Sequence, residues 1–405
     1  MNNTDQSELK LEKIYVLILT LVQIIHILDF VVMMPLGPKF IRIFAITPVQ
    51  FSTLVSAYTF SAGIMGFIAA LFADRFVRKH FLLINLSGFL IGTLVCAQAD
   101  TFITLLIGRV LAGAFGGVIN ACVFSFVADL IPYNRRGRAL GVIMSAFSIA
   151  SVLGIPLGLQ IANLYNWHST FYFIIGIGVI NGILAIIYLP VLPISVVQNQ
   201  KENLAQFIGV LKEKNNLMAF ALTMILALGI FMIIPFNAPY MVNNVGMSEK
   251  ELPLIYLVGG LFNMITSRFI GRLSDRHGSA FMFQIMATAS IFPILLITNL
   301  PHAPLWAALA TNALFMIFAS GRFIPAMTLI SAIIKPSERG AFMGLENSFR
   351  QLSSGLAAQI AGLIVFTNPS TNKIHNFNLL GYICIFWTLL AVLFSKKIAK
   401  AHNLK

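Results

Sequence analysis

Two stretches decide how this chain folds: Gly271-Arg272-Leu273-Ser274-Asp275-Arg276-His277-Gly278, and about two hundred residues earlier Ala70-Leu71-Phe72-Ala73-Asp74-Arg75-Phe76-Val77-Arg78-Lys79. Each places an Asp-Arg pair directly after an apolar run of roughly 20 residues, the length that crosses a bilayer core at 1.5 Å per residue. Two more landmarks repeat in the same order. Asp29-Phe30-Val31-Val32-Met33-Met34-Pro35 is matched by Gly229-Ile230-Phe231-Met232-Ile233-Ile234-Pro235, and Pro132-Tyr133-Asn134-Arg135-Arg136-Gly137 with Gly141 by Pro336-Ser337-Glu338-Arg339-Gly340 with Gly344. Matched landmarks in order mean an internal duplication. Two repeated apolar bundles facing each other are the plan of a carrier whose site lies near the bilayer midplane.

Composition agrees with a chain solvated by lipid. Of 405 residues, 58% are hydrophobic and 10% charged, whereas a soluble domain is nearer a quarter charged. The formal net charge of +13 does not indicate nucleic acid, because the basic residues are scattered among short segments between apolar runs. The hydropathy pattern predicts twelve spans: 14–35, 49–73, 80–98, 102–128, 139–162, 170–190, 216–237, 251–271, 280–299, 303–333, 340–366 and 376–395. The expected fold is an all-α membrane protein with two pseudo-symmetric six-helix bundles, 14–190 and 216–395. A tail at 1–13, a central linker at 191–215 and a tail at 396–405 complete the chain. The N-terminus lacks a small-residue cleavage site, so it reads as a tail followed by a retained span.

Orientation follows from lysine and arginine. The side holding the N-tail, the linker and the C-tail carries 20 of the 27 basic residues, and the other side carries Lys39, Arg42, Lys250 and Lys373. Both termini are therefore expected in the cytoplasm. Cys96, Cys122 and Cys384 lie in three different spans without metal or disulfide spacing. No phosphate loop, nucleophile triad or metal cluster is present in the pattern, so an enzyme, or a carrier that hydrolyses ATP itself, is not expected.

The stretch Gly271–Gly278 resembles the loop signature of the major facilitator superfamily, and Ala70–Lys79 is a looser copy with Ala70 and Val77 where glycines are usual. Arg109 with Gly113 resembles the family's Arg-x-x-x-Gly motif, and Asp29 ahead of Pro35 resembles the first-helix acidic motif of its twelve-span drug:proton antiporters. The Gly-Pro pair of the fifth helix appears as Gly154-Ile155-Pro156-Leu157-Gly158, displaced by one residue. The resemblance covers the whole chain. It implies a bacterial inner-membrane carrier working by alternating access, and gating by the Asp74 loop with Arg75, Arg78 and Asp129, echoed by Asp275 and Arg276.

The duplication sorts the charges. Asp74, Arg75, Asp275, Arg276, Arg136, Gly137, Arg339 and Gly340 occur in both halves at the membrane edge, as scaffold charges would. Within the spans, Asp29 faces Gly229 in the repeat and Arg109 faces Asn312 or Ala313. Arg322, Glu346 and Arg350 face Val118, Ile143 and Phe147. An ionisable group at such depth costs several kcal/mol unless it has a partner or a cavity, so these five are the working candidates.

Depth suggests the pairs. Asp29 lies six residues before Pro35, about 9 Å from the expected outer end of its helix, and Arg109 about 10 Å down from the same side. Apolar surroundings favour the neutral acid and a nearby cation favours the carboxylate, so movement of Arg109 would let Asp29 exchange a proton. His26, one turn away, is an auxiliary candidate. The alternative is a static salt bridge between the two helices. Glu346 and Arg350 are spaced i,i+4 and expected to pair, leaving Arg322 as a seat for an anionic substrate group, or as part of a structural cluster with Glu346. Phe30, Tyr58, Phe231 and Phe236 are candidates for an apolar pocket wall.

The sequence reading is a secondary transporter: proton-coupled export of drug-like or amphiphilic, anionic metabolites, with uptake of an anionic nutrient or a non-transporting receptor or scaffold as alternatives. Its expected partners are a small-molecule substrate and the bilayer, with no nucleic acid and no cofactor beyond a proton gradient, and it is expected to act as a monomer.

Overall fold

A computed structural model describes residues 3–72, 75–192, 207–335 and 338–402. Eleven of its helices are long and apolar enough to cross a membrane: span 1 (Lys10–Val32), span 2 (Pro48–Leu71), span 3 (Arg78–Ala97), span 4 (Phe102–Leu130), span 5 (Arg135–Leu164), span 6 (Trp167–Tyr188), span 7 (Lys214–Val245), span 8 (Leu252–His277), span 9 (Ser279–Thr298), span 10 (Leu305–Ile333) and span 12 (Phe377–His402). The remaining expected span, span 11 (Arg339–Ile364), is a helix of 26 residues, about 39 Å at 1.5 Å per residue. It is long enough but too polar to qualify by composition, and it brings the helices of membrane-spanning length to twelve.

Span 11 tolerates its polarity because its polar side meets protein. Ser56 Oγ and Thr53 Oγ1 of span 2 donate to Gln359 Oε1 at 2.9 and 3.3 Å. A Cβ on Gly362 would overlap the Ser52 side chain, and Gly63 packs on Leu352 and the Ser348 carbonyl. Spans 2 and 11, one from each half, therefore touch along most of their length.

Several boundaries differ from expectation. Span 1 was expected to end at Pro35; instead residues 33–36 form a turn and the helix resumes as Gly37–Ile43. Pro35 and Pro38 remove N–H donors, yet Leu36 N still donates to Val32 O and Phe40 N to Leu36 O. Asp29 thus lies 14 residues below Ile43, roughly 21 Å along the axis, and deeper than the sequence suggested. Span 7 breaks at the matching place and resumes as Ile234–Tyr240. Span 8 runs to His277, so Asp275 and Arg276 sit on its last turn and not in a loop. Gly278 ends it at φ +96°, a conformation costly for any residue with a Cβ. The looser first copy has Val77 at φ −57° and makes no such turn. Span 12 continues to His402, carrying Lys396, Lys397 and Lys400 on the helix.

Span 5 contains a π-helical segment at Ala150–Gly154 directly before Pro156. Pro156 has no N–H for the carbonyl four residues back, and a wide turn takes up one extra residue. Val152 of this segment lies over Gly260 of span 8, a second contact between the halves.

Candidate functional site

Span 4 carries Arg109 into the interior of the first half, and Asp29 comes to it from span 1. Arg109 Nη1 lies 2.9 Å from Asp29 Oδ2, and both side chains are 0% exposed. Thr93 of span 3 donates its hydroxyl to Asp29 Oδ1 at 3.2 Å. Arg109 Nη1 also approaches the Asp29 carbonyl oxygen at 3.4 Å, while its Cζ stands 4.3 Å from the centre of the Tyr58 ring of span 2. Four spans thus meet at one ion pair. Close approach makes that possible: a Cβ on Gly113 would overlap Ser61 Oγ and the Tyr58 carbonyl oxygen. Thr93 and the cation–π contact were not legible, because nothing in their spacing distinguishes them from core residues.

His26 lies beside this pair, its ring 6.4 Å from Tyr58 and 6.2 Å from Phe89. Neither ring nitrogen has a hydrogen-bond partner among the described residues, nor has the Tyr58 hydroxyl. Gln23 donates to Asn120 of span 4, continuing the polar stripe toward the start of span 1. Phe30 stacks on Tyr58 at 5.1 Å and on Phe231 of span 7 at 6.2 Å, which joins the two halves through three aromatic rings.

In the second half, Arg350 Nε is 3.8 Å from Glu346 Oε1, with side-chain exposures of 38% and 8%. Glu346 Oε1 has no hydrogen bond among the described residues, and Arg350 Nη2 donates to Asn347 Oδ1 at 2.6 Å. This pair is loose where Asp29–Arg109 is tight. Arg322 departs from expectation. It is fully buried, and its Nη1 donates to Ser290 Oγ of span 9 at 3.2 Å and Thr388 Oγ1 of span 12 at 2.8 Å. It therefore points into the second half's own interior and forms no ion pair with Glu346 among the described residues. Phe236 packs edge-on against Phe51 of span 2 at 5.8 Å, both rings fully buried.

Of the expected gating residues, Asp74 lies outside the described residues. Arg78 Nε pairs with Asp129 Oδ2 at 2.9 Å, tying span 3 to span 4. Arg75, Asp275 and Arg276 are exposed. Lys79 Nζ donates to the Ile186 and Leu189 carbonyls at 2.6 and 2.7 Å, capping span 6, and Arg136 caps span 4 through the Ile131 and Ala128 carbonyls.

The opposite edge holds a cluster missed in the sequence. Arg42 Nη1 meets Glu249 Oε1 at 2.5 Å, and Lys39 Nζ lies 3.9 Å from Glu249 Oε2 while donating to Asn163 Oδ1 at 2.8 Å. Asn163 Nδ2 in turn donates to the Glu249 carbonyl at 3.3 Å. Desolvation draws the Lys39 ammonium below its ordinary pKa, opposed by Glu249. The cluster fastens the short helix Gly37–Ile43 after span 1 and the end of span 5 to the loop after span 7. The signal was available as opposite charges in loops that the duplication sets face to face.

Twelve helices of membrane-spanning length among the described residues, in two repeated halves that each bury unduplicated charges, define a secondary membrane transporter. The family model of the Major Facilitator Superfamily matches residues 19–218 and again 219–404. The chain belongs to the major facilitator superfamily. It is 26% identical over 322 residues to the MFS-type transporter YfhI of Bacillus subtilis, covering 77% of each chain. A segment of 109 residues is 37% identical to Multidrug resistance protein 3 of the same organism, covering 27% of this chain and 21% of that one. The fold matches a bacterial homologue of the human lysosomal transporter Spinster, in an inward-facing and unoccupied conformation, with a TM-score of 0.76 at 17% identity over 97% of this chain and 98% of that one.

Proposed function

We propose that this transporter exports amphiphilic or anionic small molecules in exchange for protons, from a bacterial inner membrane with both termini in the cytoplasm. The observation that carries the reading is the Asp29–Arg109 pair, wholly buried and absent from the second half. A charge pair needed only as a brace would serve both halves; one needed for proton exchange need occur once. In the state described, the guanidinium stands 2.9 Å from Asp29 Oδ2, and a cation so placed favours the carboxylate form. Withdrawal of Arg109 leaves the acid in apolar surroundings, which favour its neutral form. Protonation of Asp29 is thereby coupled to the relative position of spans 1 and 4.

The aromatic series Phe30, Tyr58 and Phe231 supplies an apolar wall. The half-exposed Arg350, loosely held by Glu346, supplies a cation for an acidic group. Similarity over 109 residues to Multidrug resistance protein 3 favours export over uptake. Reconstituted protein should move a fluorescent amphiphilic anion against its gradient when a pH gradient is imposed, with internal pyranine reporting the proton flux. Asp29→Asn should abolish the proton-driven component and leave downhill movement. Wild-type proton-driven transport by Asp29→Asn would overturn the assignment, and transport only in the inward direction would reassign the protein to uptake.

A further inference from the structure

Arg322 raises a separate question. Its guanidinium is 0% exposed, deep in a membrane domain, and no carboxylate meets it among the described residues. Its partners are two hydroxyls that already donate elsewhere: Ser290 Oγ to the Ala287 carbonyl at 2.6 Å and Thr388 Oγ1 to the Cys384 carbonyl at 2.8 Å. Both act on Arg322 as neutral acceptors through Nη1 alone. Among the described residues Nε and Nη2, the edge of the fork that suits a two-point anion contact, have no hydrogen bond, and the neutral Cys384 thiol beside Arg322 brings no compensating charge. A guanidinium always carries its charge, and neutral acceptors do not balance it in low dielectric.

The duplication shows where the missing charge belongs. Gly229 stands six residues before Pro235, as Asp29 stands six before Pro35. A Cβ at Gly229 would lie 3.7 Å from Arg322 Nη2, with Trp387 Cβ at 3.3 Å and the Cys384 carbonyl at 3.6 Å. So each half buries one arginine against the same point of its first helix. The first half offers a carboxylate there and the second offers a glycine.

We propose that the second half binds a small monovalent inorganic anion, chloride-sized, on the Nε–Nη2 edge of Arg322 beside Gly229, and that this anion replaces the carboxylate which Asp29 supplies in the first half. Full burial and a gap of one missing side chain select a halide over the acidic group of a bulky substrate. This inference is independent of proton coupling at Asp29 and of the direction of transport.

The test is the unfolding temperature of the full-length detergent-purified protein, without substrate, as chloride replaces gluconate at constant ionic strength. Ligand that binds only the folded state raises stability with the logarithm of its concentration above Kd, so the unfolding temperature should climb with chloride and with bromide. Gly229→Asp, which places a carboxylate beside Arg322, should remove the halide response. Arg322→Gln should remove it too; if that variant fails to fold, Gly229→Asp decides. Equal unfolding temperatures in chloride and gluconate for the wild type, or an undiminished chloride response in Gly229→Asp, would overturn the site. A response to gluconate equal to that of chloride would do the same, since it would assign the effect to carboxylates at large.

Discussion

Replacing Asp29 by Asn and Arg109 by Gln, singly and together, separates a moving ion pair from a fixed one. Asn keeps the shape of Asp and an oxygen for Thr93 and Arg109, so Asp29→Asn removes a charge and little else. Breaking a buried pair from one side costs about 3–5 kcal/mol, because the remaining ion is left uncompensated. Two features place this site at the lower end of that range. The Tyr58 ring under Arg109 contributes about 2 kcal/mol to a desolvated cation, and the Asp29 carbonyl oxygen stays in reach at 3.4 Å. The expected loss is about 3 kcal/mol for Asp29→Asn, roughly a hundredfold in the folding equilibrium at about 1.4 kcal/mol per decade. Arg109→Gln removes the cation and lets Asp29 take up a proton in its apolar surroundings, so no charge is stranded and about 1–3 kcal/mol is expected, the cost of an incompletely bonded buried polar group. The double variant has no charge to strand and should return to within about 1 kcal/mol of wild type. Denaturant unfolding in micelles reads stability, and pH-driven flux in liposomes reads coupling on the same preparations. The reasoning requires stability restored and coupling still lost in the double variant. Stability and proton-driven flux both restored would refute it, leaving the pair a brace between helices.

Two further outcomes follow from the contacts. Arg42 is 66% exposed in its contact with Glu249, so the outer fastening is worth about 1 kcal/mol and falls with salt. Glu249→Gln should speed labelling of an outer-end Phe51→Cys variant by an impermeant thiol reagent about fivefold at that energy; the native Cys96, Cys122 and Cys384 are buried and give little background. Unchanged labelling would remove Glu249 from the closure. Gly113→Ala should destabilise by about 1–3 kcal/mol through overpacking against Tyr58 and Ser61, with loss of coupling as the Tyr58–Arg109 contact is displaced; wild-type stability would show that spans 2 and 4 yield there.

The sequence disclosed what depends on periodicity and on repetition. Apolar runs set the spans, and comparing the halves isolated Asp29, Arg109, Arg322, Glu346 and Arg350. The Asp29–Arg109 contact was legible from opposite charges left unduplicated in two spans, although the depth counted for Asp29 fell short because the helix resumes past Pro35. Arg322 was not, because depth says nothing of the direction a side chain takes around its helix, and it turns toward Ser290 and Thr388. The continuation of span 1 past Pro35 was hidden because proline weakens a helix without fixing whether it stops or bends. Gly278 was readable as a signature residue, but its left-handed turn, and the absence of one at Val77, needed coordinates.

Span 11 bears on how the protein is made. A charged residue at the centre of a helix entering lipid costs about 2.5–3.5 kcal/mol, and this helix carries both Glu346 and Arg350 with Gln351 and Gln359 besides. Alone at the exit of the insertion machinery it is a poor candidate for lipid. Its complementary groove, the Ser52–Gly63 side of span 2, is synthesised nearly three hundred residues earlier. The order of the two copies in the chain therefore carries information that their symmetry conceals. Span 2 enters first and offers the face on which the more polar span 11 can leave the aqueous channel, so a rearranged chain that began with span 11 is expected to insert poorly.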